Sequence, residues 1–248
     1  MTKFNQKEYT EYWRNLHLEK NDELATICFP DKPAYFNKFF DNIQKFAINN
    51  FINRYKIDLA EKKLLDVGCG RGRWLSFFMN KHNACVSGID LSGDAVTSCR
   101  KKGFNTLQAS AVKIPFSDNA FDIVTSITVL LHIPYEDKRD VVHEIARVLK
   151  SGGKVIMIDS TWKNDPSSHV YALSFSELER LFKTCSLKLI YNAGHYFNFF
   201  RRSIPDRVPF KNHISIYLDY PLEYILMKYY SGKKSKKALQ HLMVFEKM

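Results

Sequence analysis

Two spacings of apolar residues divide this chain into helical and extended segments. Over residues 34–55, phenylalanine and isoleucine recur at mixed three- and four-residue steps, which predicts an amphipathic helix with one apolar face. From residue 63 onward, short apolar runs typical of buried strands alternate with segments of helical spacing. This alternation predicts an α/β fold in which a mostly parallel sheet of seven strands carries helices on both faces.

The predicted elements follow one another closely from residue 63 to the end of the sequence. Predicted strands cover residues 63–67, 84–90, 105–109, 121–129, 154–159, 186–191 and 241–247. Predicted helices cover residues 72–82, 92–102 and 137–149, and Gly103 has the position of a C-cap glycine after the second of them. Ser174 and Glu177 have the spacing of a capping box, which predicts a further helix that ends near Cys185.

The segment before the last predicted strand is too long for an ordinary connection. Residues 192–240 separate two predicted strands and are rich in phenylalanine and tyrosine. We therefore expect two regions in the chain. Residues 1–58 would form an N-terminal helical cover or lid, and residues 59–248 a main domain in which 192–240 is a substrate-binding insert.

Composition and charge narrow the function classes without naming a partner. Hydrophobic residues make up 45% of the chain and charged residues 25%, as in ordinary globular proteins. No apolar run approaches the roughly 20 residues of a membrane-spanning helix, and the start of the sequence lacks an apolar signal region. The five cysteines form no CxxC pair, so we expect a cytoplasmic protein without a disulfide framework or a metal site. The net charge of +11 suits an acidic partner or high solubility.

The stretch LLDVGCGRGRW, residues 64–74, joins the first strand to the helix after it. Its alternating glycines permit the tight turn and close backbone approach that a nucleotide cofactor requires. Asp66 would repel the pyrophosphate of a dinucleotide but attract an ammonium or a sulfonium group. Asp90, which closes the next strand in GIDLS, can accept hydrogen bonds from both ribose hydroxyls of an adenosine. The sequence contains no P-loop pattern, which removes the main support for phosphoryl transfer.

These two stretches resemble motif I and the acidic end of the second strand in the class I S-adenosylmethionine-dependent methyltransferases. PFSDNAFDIVTSITVLLHI and EIARVLKSGGKVIMID resemble the segments around the fourth and fifth strands of the same family. The likeness covers residues 60–160 well and 174–248 loosely, and it is closest to the subgroup that includes quinone-biosynthesis methyltransferases. It implies a Rossmann-like fold and an enzyme that moves a methyl group from S-adenosylmethionine, with S-adenosylhomocysteine as the product.

The resemblance also implies roles for single residues around this cofactor. Asp90 would bind the ribose, Leu91 would cover one face of the adenine, and Ile127 would lie beside the cofactor after the fourth strand. Ser110 and Ala111 would lie near the adenine amine, although many relatives carry an aspartate where this chain has the serine. The residues that would frame the methionine end are Asp66, Gly68, Cys69 and Gly70.

Methyl transfer requires alignment of a nucleophile with the methyl group, and a general base only where the nucleophile starts protonated. His132 in LLHIP follows the fourth strand, where it could act as a base, contact the substrate or make a structural hydrogen bond. Asp159 ends the fifth strand, where it could serve catalysis or cap the next turn. His195 begins the aromatic insert and is the remaining catalytic candidate.

Two further groups of residues are candidates for contact with the acceptor. The N-terminal group would belong to a lid over the cofactor, with plain packing as the alternative; it consists of Tyr9, Tyr12 and Trp13. The second group lies in the insert and would contact the substrate; it consists of Tyr196, Phe199 and Arg201.

The acceptor itself stays open between a small molecule and a macromolecule. We expect an oxygen or nitrogen nucleophile of a small molecule, and the cationic residues among the aromatics would suit an anionic metabolite. An RNA or protein acceptor held by the basic C-terminal third is the alternative. The sequence SITV at 126–129 lacks the double-proline pattern of adenine and glutamine N-methyltransferases, and no Pro-Cys pair supports methylation of cytosine C5. The intact acidic residues disfavour a binder without activity, and YILMK at 224–228 is interpreted as a chance match to dehydrogenases.

Overall fold

One sheet organises the part of the chain that the computed structural model describes, which comprises residues 6–19, 24, 32–161, 167, 169–197, 211–231, 235 and 238–248. Its strands are β1 (Lys63–Val67), β2 (Cys85–Asp90), β3 (Asn105–Gln108), β4 (Phe121–Ile127), β5 (Leu149–Ser160), β6 (Leu187–His195) and β7 (Gln240–Lys247). Their order across the sheet is β3-β2-β1-β4-β5-β7-β6. The predicted seven-stranded α/β fold is confirmed.

The direction of the strands places many chain segments at one edge of the sheet. Strands β1 to β5 pair in parallel, whereas β7 runs antiparallel between β5 and β6. The carboxyl end of β6 and the amino end of β7 therefore lie at the same edge as the carboxyl ends of the parallel strands. Ligands of open α/β sheets bind outside this edge.

Helices cover both faces of the sheet. They are α1 (Gln6–Glu19), α2 (Ala34–Arg54), α3 (Arg73–His82), α4 (Gly93–Lys101), α5 (Lys138–Val148), α6 (Phe175–Lys183) and α7 (Lys211–Tyr229), with a short 3-10 turn at Leu130–His132. Helices α2, α3 and α7 contribute to the apolar cluster on one face, and α5 and α6 to the cluster on the other. Among the described residues, no helix is long and apolar enough to cross a membrane.

Helix α2 is a layer of the hydrophobic core. Phe40, Ile43 and Phe51 are almost completely buried and belong to the same cluster as Ile156 and Ile158 of β5. Full burial of one such side chain stabilises the fold by roughly 1.5–3 kcal/mol. The expectation of a helical cover over residues 1–58 stays a prediction; within that range, α2 is an integral part of the packed domain.

The local signals for helix ends are confirmed. Gly103 has a φ of 84°, and it follows α4 in a motif where Phe104 N donates to Cys99 O at 3.1 Å. Ser174 and Glu177 form the predicted capping box at the start of α6. Two boundaries differ most from the sequence-based expectation, since β5 begins at Leu149 rather than at residue 154, and β6 continues to His195 rather than ending at residue 191. A bulge accommodates the Ser-Gly-Gly sequence inside the strand, where the pairing with β4 shifts register.

The Gly88→Ala substitution tests the packing of the glycine loop on β2. An added Cβ at Gly88 would lie 2.8 Å from both Cβ and Sγ of Cys69, so the loop would have to move. We expect the free energy of unfolding, measured by urea denaturation, to fall by about 1–3 kcal/mol. Gly93→Ala is the control, since its Cβ would meet only the far end of the flexible Gln108 side chain at 2.9 Å. Equal stability of the two variants would contradict the packing argument.

Candidate active site

The loop after β1 folds back onto the end of β2 through its backbone. Gly68 N and Cys69 N both donate to the carbonyl oxygen of Ile89, at 2.8 and 2.9 Å. Gly68 and Gly70 have φ values of 71° and 51°, in the left-handed region that favours glycine. These bonds fix the loop at the carboxyl edge of the sheet, where a cofactor was expected.

Gly68 is also required by close packing against the segment that follows β4. A Cβ at this position would lie 2.5 Å from Cγ2 of Val129. Any larger residue would therefore push the loop away from the end of β4. The glycine brings the loop and the residues after β4 together, so that one ligand can contact both.

Asp66 carries a buried carboxyl group at the carboxyl end of β1. Thr125 Oγ1 donates to its Oδ1 at 2.6 Å, whereas Oδ2 is buried and has no hydrogen-bond partner among the described residues. Burial raises the pKa of this group to about 7, although the Thr125 hydrogen bond and the positive charge of Arg73 act in the opposite direction. A buried acceptor without a donor is costly, so the position suits a ligand that brings a donor or a positive charge.

Asp90 joins the glycine loop to the start of α4. Its Oδ2 accepts a hydrogen bond from Gly70 N at 2.8 Å, and its Oδ1 accepts one from Ser92 N at 2.8 Å. The side chain is only partly buried, and each carboxylate oxygen retains capacity for a second donor. The carboxylate therefore orders the loop and still presents acceptors at the edge of the sheet.

The residues expected around an adenine ring lie on the neighbouring loops. Leu91 and Ala111 are partly buried and pack against the same apolar cluster as Trp13 of α1. Ser110 follows β3, and its Oγ is 3.4 Å from Val112 N. Ile127 ends β4 and is buried in the cluster on the opposite face of the sheet. Leu91 and Ala111 thus pack on the same face of the sheet as Trp13, whereas Ile127 belongs to the other face.

Aromatic rings from α1 contact two histidines, His132 after β4 and His169 after β5. The ring centroid of Trp13 is 4.6 Å from that of His132, and the Tyr12 ring stacks on His169 at 4.6 Å. His132 Nδ1 lies 3.0 Å from the backbone oxygen of His169. Because a carbonyl oxygen can only accept, a neutral His132 carries its proton on Nδ1 and its lone pair on Nε2.

Comparison with known proteins places these features in a family. A model described as "Methyltransferase domain" matches residues 65–157. The chain is 36% identical over 172 residues to the ubiquinone biosynthesis O-methyltransferase of Nitrosomonas europaea, covering 65% of this chain and 68% of that protein. The chain belongs to the class I S-adenosylmethionine-dependent methyltransferases. It is an enzyme of methyl transfer, and its cofactor is S-adenosylmethionine.

Two other matches show how widely this methyltransferase fold is used. The chain is 34% identical over 110 residues to the tRNA (carboxymethyluridine(34)-5-O)-methyltransferase alkbh8 of Xenopus tropicalis, but this covers 42% of the chain and only 17% of that protein. The crystal structure of geranyl diphosphate C-methyltransferase from Streptomyces coelicolor has a TM-score of 0.64 at 15% identity, over 97% of this chain and 98% of that one. The structural likeness confirms the Rossmann-like fold.

Asp159 lies inside the methyltransferase fold. Its side chain is 1% exposed, its Oδ1 accepts a hydrogen bond from Ser160 N at 3.1 Å, and the buried Lys138 stands close enough to influence its charge. Burial raises the pKa of Asp159 and lowers the pKa of Lys138, whose Nζ donates to the carbonyl of Leu130. The sequence-based expectation of a catalytic carboxylate stays a prediction, and the structure shows this group enclosed beside a buried lysine.

His195 and Tyr196 are also enclosed rather than presented to a substrate. His195 is fully buried, neither ring nitrogen has a hydrogen-bond partner among the described residues, and burial lowers its pKa to about 3. Tyr196 is 6% exposed and packs edge-on against Phe40 of α2 at 5.0 Å. The expected contacts of both residues with the acceptor stay predictions, and in this structure the Tyr196 ring packs beneath α2.

Three expected acceptor contacts cannot be placed. Phe199 and Arg201 lie outside the described residues, and so does the side chain of Tyr9, although its backbone belongs to α1. Of the expected lid residues, Tyr12 and Trp13 meet the histidine pair. His169 and Lys138 belong to this neighbourhood and were missed, because no spacing in the sequence connects them to the end of β4.

A buried polar network beneath α2 was also missed. Arg73 donates to Asp41 Oδ1 and to Gln44 Oε1, both at 3.0 Å, and Gln44 Nε2 donates to Gln240 Oε1 at 3.2 Å. The network links the helix after the glycine loop to α2 and β7. A signal for it exists in the sequence, since Asn37, Asp41 and Gln44 interrupt the apolar face of α2 at helical spacing.

The Asp66→Asn substitution tests the buried carboxyl group in the protein without cofactor. Because the folded-state pKa of Asp66 is raised from 3.8 to about 7, ionisation destabilises the wild type as the pH rises through this window. Relative to the Asp66→Asn variant, which is neutral at this position, the wild type should lose on the order of 4 kcal/mol of unfolding free energy between about pH 4 and pH 8. Urea denaturation at the two pH values measures the difference.

Asp122→Asn is the matched control for this measurement. A hydrogen bond and the charge of Lys150 lower the pKa of Asp122, although burial opposes them, so its stabilising contribution is lost as the pH falls. The difference between the wild type and this variant should therefore change with pH in the opposite direction. If the free energy of unfolding changed with pH in the same way for the wild type and Asp66→Asn, the argument that burial raises the pKa of Asp66 would be contradicted.

Proposed function

We propose that this methyltransferase acts on an oxygen or nitrogen nucleophile of a small molecule bound beneath α1. The observation that carries the proposal is the contact between Trp13 and His132, which closes α1 over the carboxyl edge of the sheet at 4.6 Å. A covered edge favours an acceptor that can be enclosed away from water. Relatives named as ubiquinone biosynthesis and fatty-acid O-methyltransferases support oxygen as the first acceptor atom to test.

The cofactor roles expected from the sequence are retained in this proposal. The methionine end would lie against Asp66, Gly68, Cys69 and Gly70, and Asp90 would hold the ribose. Leu91, Ser110, Ala111 and Ile127 would border the rest of the cofactor. Two observations support the assignment, namely the unpartnered buried Oδ2 of Asp66, which suits a cationic ligand, and the partly exposed carboxylate of Asp90.

The chemistry requires little more from the protein than alignment and one proton acceptor. When bound, S-adenosylmethionine supplies a methyl carbon that its sulfonium has already activated for displacement. The chain orients the acceptor and excludes water through the rings of α1. His132 Nε2 accepts the proton of an alcohol or phenol, because the carbonyl of His169 keeps the other ring nitrogen protonated.

An RNA acceptor is the second candidate. It is favoured by the similarity to the tRNA methyltransferases of Xenopus tropicalis and Arabidopsis thaliana, which are named as 5-O enzymes of carboxymethyluridine. The basic C-terminal third supports it through charge, with 11 lysines and arginines against four acidic residues from Lys188 onward. The match to these enzymes covers only 17% and 23% of their lengths, so it concerns the catalytic domain.

The deciding experiment is an acceptor screen with radiolabelled S-adenosylmethionine. We expect label in phenolic, hydroxy-acid or carboxylate metabolites and none in bulk tRNA. Label in tRNA alone would replace the small-molecule proposal with the RNA hypothesis.

The Asp90→Ala substitution tests the ribose contact. It should weaken S-adenosylhomocysteine binding by about 1–3 kcal/mol in calorimetry, since it removes hydrogen bonds to a charged group. Asp94→Ala, which removes an exposed carboxylate in the first turn of α4, is the matched control.

His132→Gln tests the proton acceptor. With an alcohol or phenol substrate, we expect the turnover number to fall by about 10²–10⁴-fold and the rise of rate with pH to disappear, while S-adenosylhomocysteine binding is unchanged. His143→Gln changes an exposed histidine on α5 and serves as the control. An unaltered pH profile in the first variant would assign His132 to structure alone.

A further inference from the structure

Helix α7 exposes an apolar stripe along the outer surface of the insert. Tyr217 is 81% exposed, Ile225 63% and Tyr229 61%, and Ile214 and Leu218 are exposed as well. The positions recur at three- and four-residue steps, so they lie on one face of the helix. The stripe extends over about 22 Å at roughly 1.5 Å per residue. Contiguous exposed apolar surfaces of this kind mark binding sites.

The polarity of α7 is the reverse of that of an ordinary surface helix. Asp219 and Glu223, the two acidic residues in its sequence, are 2% and 1% exposed. Among the side chains of α7 that the structure describes, Lys228 is the charged residue on the exposed side. The helix therefore turns its negative charges inward and presents apolar groups and a positive charge to the surroundings.

Contacts with α2 hold this orientation in place. The Tyr224 ring packs edge-on against Phe46 at 4.3 Å, and the Tyr220 ring lies 5.3 Å from Phe39. The Tyr224 hydroxyl donates to the Tyr220 hydroxyl at 3.1 Å. Because these contacts anchor the flank of α7 beside the stripe to α2, rotation of the helix would break them.

The sequence on both sides of the stripe is basic. Arg201, Arg202, Arg207 and Lys211 precede it, and four lysines follow Lys228 between residues 233 and 237. An anionic surface suits both the apolar stripe with its exposed Lys228 and the basic sequence on either side of it.

We propose that the α7 stripe docks the protein on an anionic membrane surface, with the helix lying in the plane of the interface. Tyrosine side chains suit this position, since their rings enter the apolar region while their hydroxyls stay hydrated. Lysine and arginine at the two ends add attraction to anionic headgroups, and salt weakens this attraction. The docking does not depend on which acceptor the enzyme methylates.

Vesicle cosedimentation of the full chain tests this surface. The vesicles consist of phosphatidylcholine alone or of a mixture with phosphatidylglycerol. We expect at least about 10-fold stronger partitioning onto the anionic vesicles, with loss in high salt. Absence of binding to the anionic vesicles in low salt, or equal binding to both kinds, would overturn the proposal.

Two double variants distinguish binding through the stripe from nonspecific hydrophobic adsorption to the vesicles. Tyr217→Ser with Ile225→Ser should reduce partitioning by about 10-fold or more, because two apolar side chains leave the interface. Met79→Ser with Ile190→Ser is the matched control, since it removes two apolar side chains that are 41% and 39% exposed elsewhere. Unchanged binding by the stripe variant, or equal loss in the control, would overturn the assignment.

Charge and self-association provide the remaining readouts. Lys228→Glu should weaken binding to anionic vesicles several-fold, since it places an acid on the stripe. Circular dichroism and S-adenosylhomocysteine binding should stay at wild-type values in all three variants. Should gel filtration show a wild-type dimer that Tyr217→Ser with Ile225→Ser converts to a monomer, the stripe would be a self-association surface and the membrane proposal would be overturned.

Discussion

At the carboxyl end of β1, the carboxyl group of Asp66 is buried from solvent at the edge of the sheet. Thr125 donates to one oxygen, and the other has no hydrogen-bond partner among the described residues. The loop beside it is fixed by backbone bonds to Ile89 and Asp90, so it cannot move to solvate the carboxyl group without losing those bonds. Under the proposed function, the cationic cofactor would supply the charge that this arrangement lacks, which would offset the cost of the buried acid.

The same edge is tied to the rest of the fold through a polar network. Arg73, directly after the glycine loop, contacts Asp41 and Gln44 of α2, and Gln44 reaches β7. Because α2 is also anchored by phenylalanine and isoleucine side chains in the core, it cannot open as a lid without unfolding part of the domain. Under the proposed function, closure over the acceptor is left to α1, whose Trp13 and Tyr12 contact His132 after β4 and His169 after β5.

Two surfaces of the domain thus have opposite characters. At the carboxyl edge of the sheet, polar and charged groups are enclosed among apolar layers, where each hydrogen bond is strengthened by the low dielectric. On the outer side of α7, apolar groups are exposed while Asp219 and Glu223 are buried. The first arrangement suits a charged cofactor and a small acceptor, and the second suits a partner surface that is apolar in its interior and negative at its boundary.

The sequence by itself determined the order of the strands and helices between residues 34 and 191, the last strand, the glycine loop, the two acidic residues at the ends of β1 and β2, and the helix ends at Gly103 and Ser174. It did not predict helix α7 within the insert. These features depend on local periodicity and on turn and cap residues, whose conformational preferences act within a few positions of the chain. The family followed from the same short stretches, because they combine into a specific pattern.

Only the tertiary structure decided which of the candidate side chains meet. His195 and Asp159 occupy strand ends that the sequence places at the active edge, yet both are enclosed by α2, α5 and their strand neighbours. His132 acquires its tautomer from His169, 37 residues away, and Arg73 finds its partners 29 and 32 residues away on α2. Burial and pairing of this kind depend on contacts between distant segments, which no local spacing encodes.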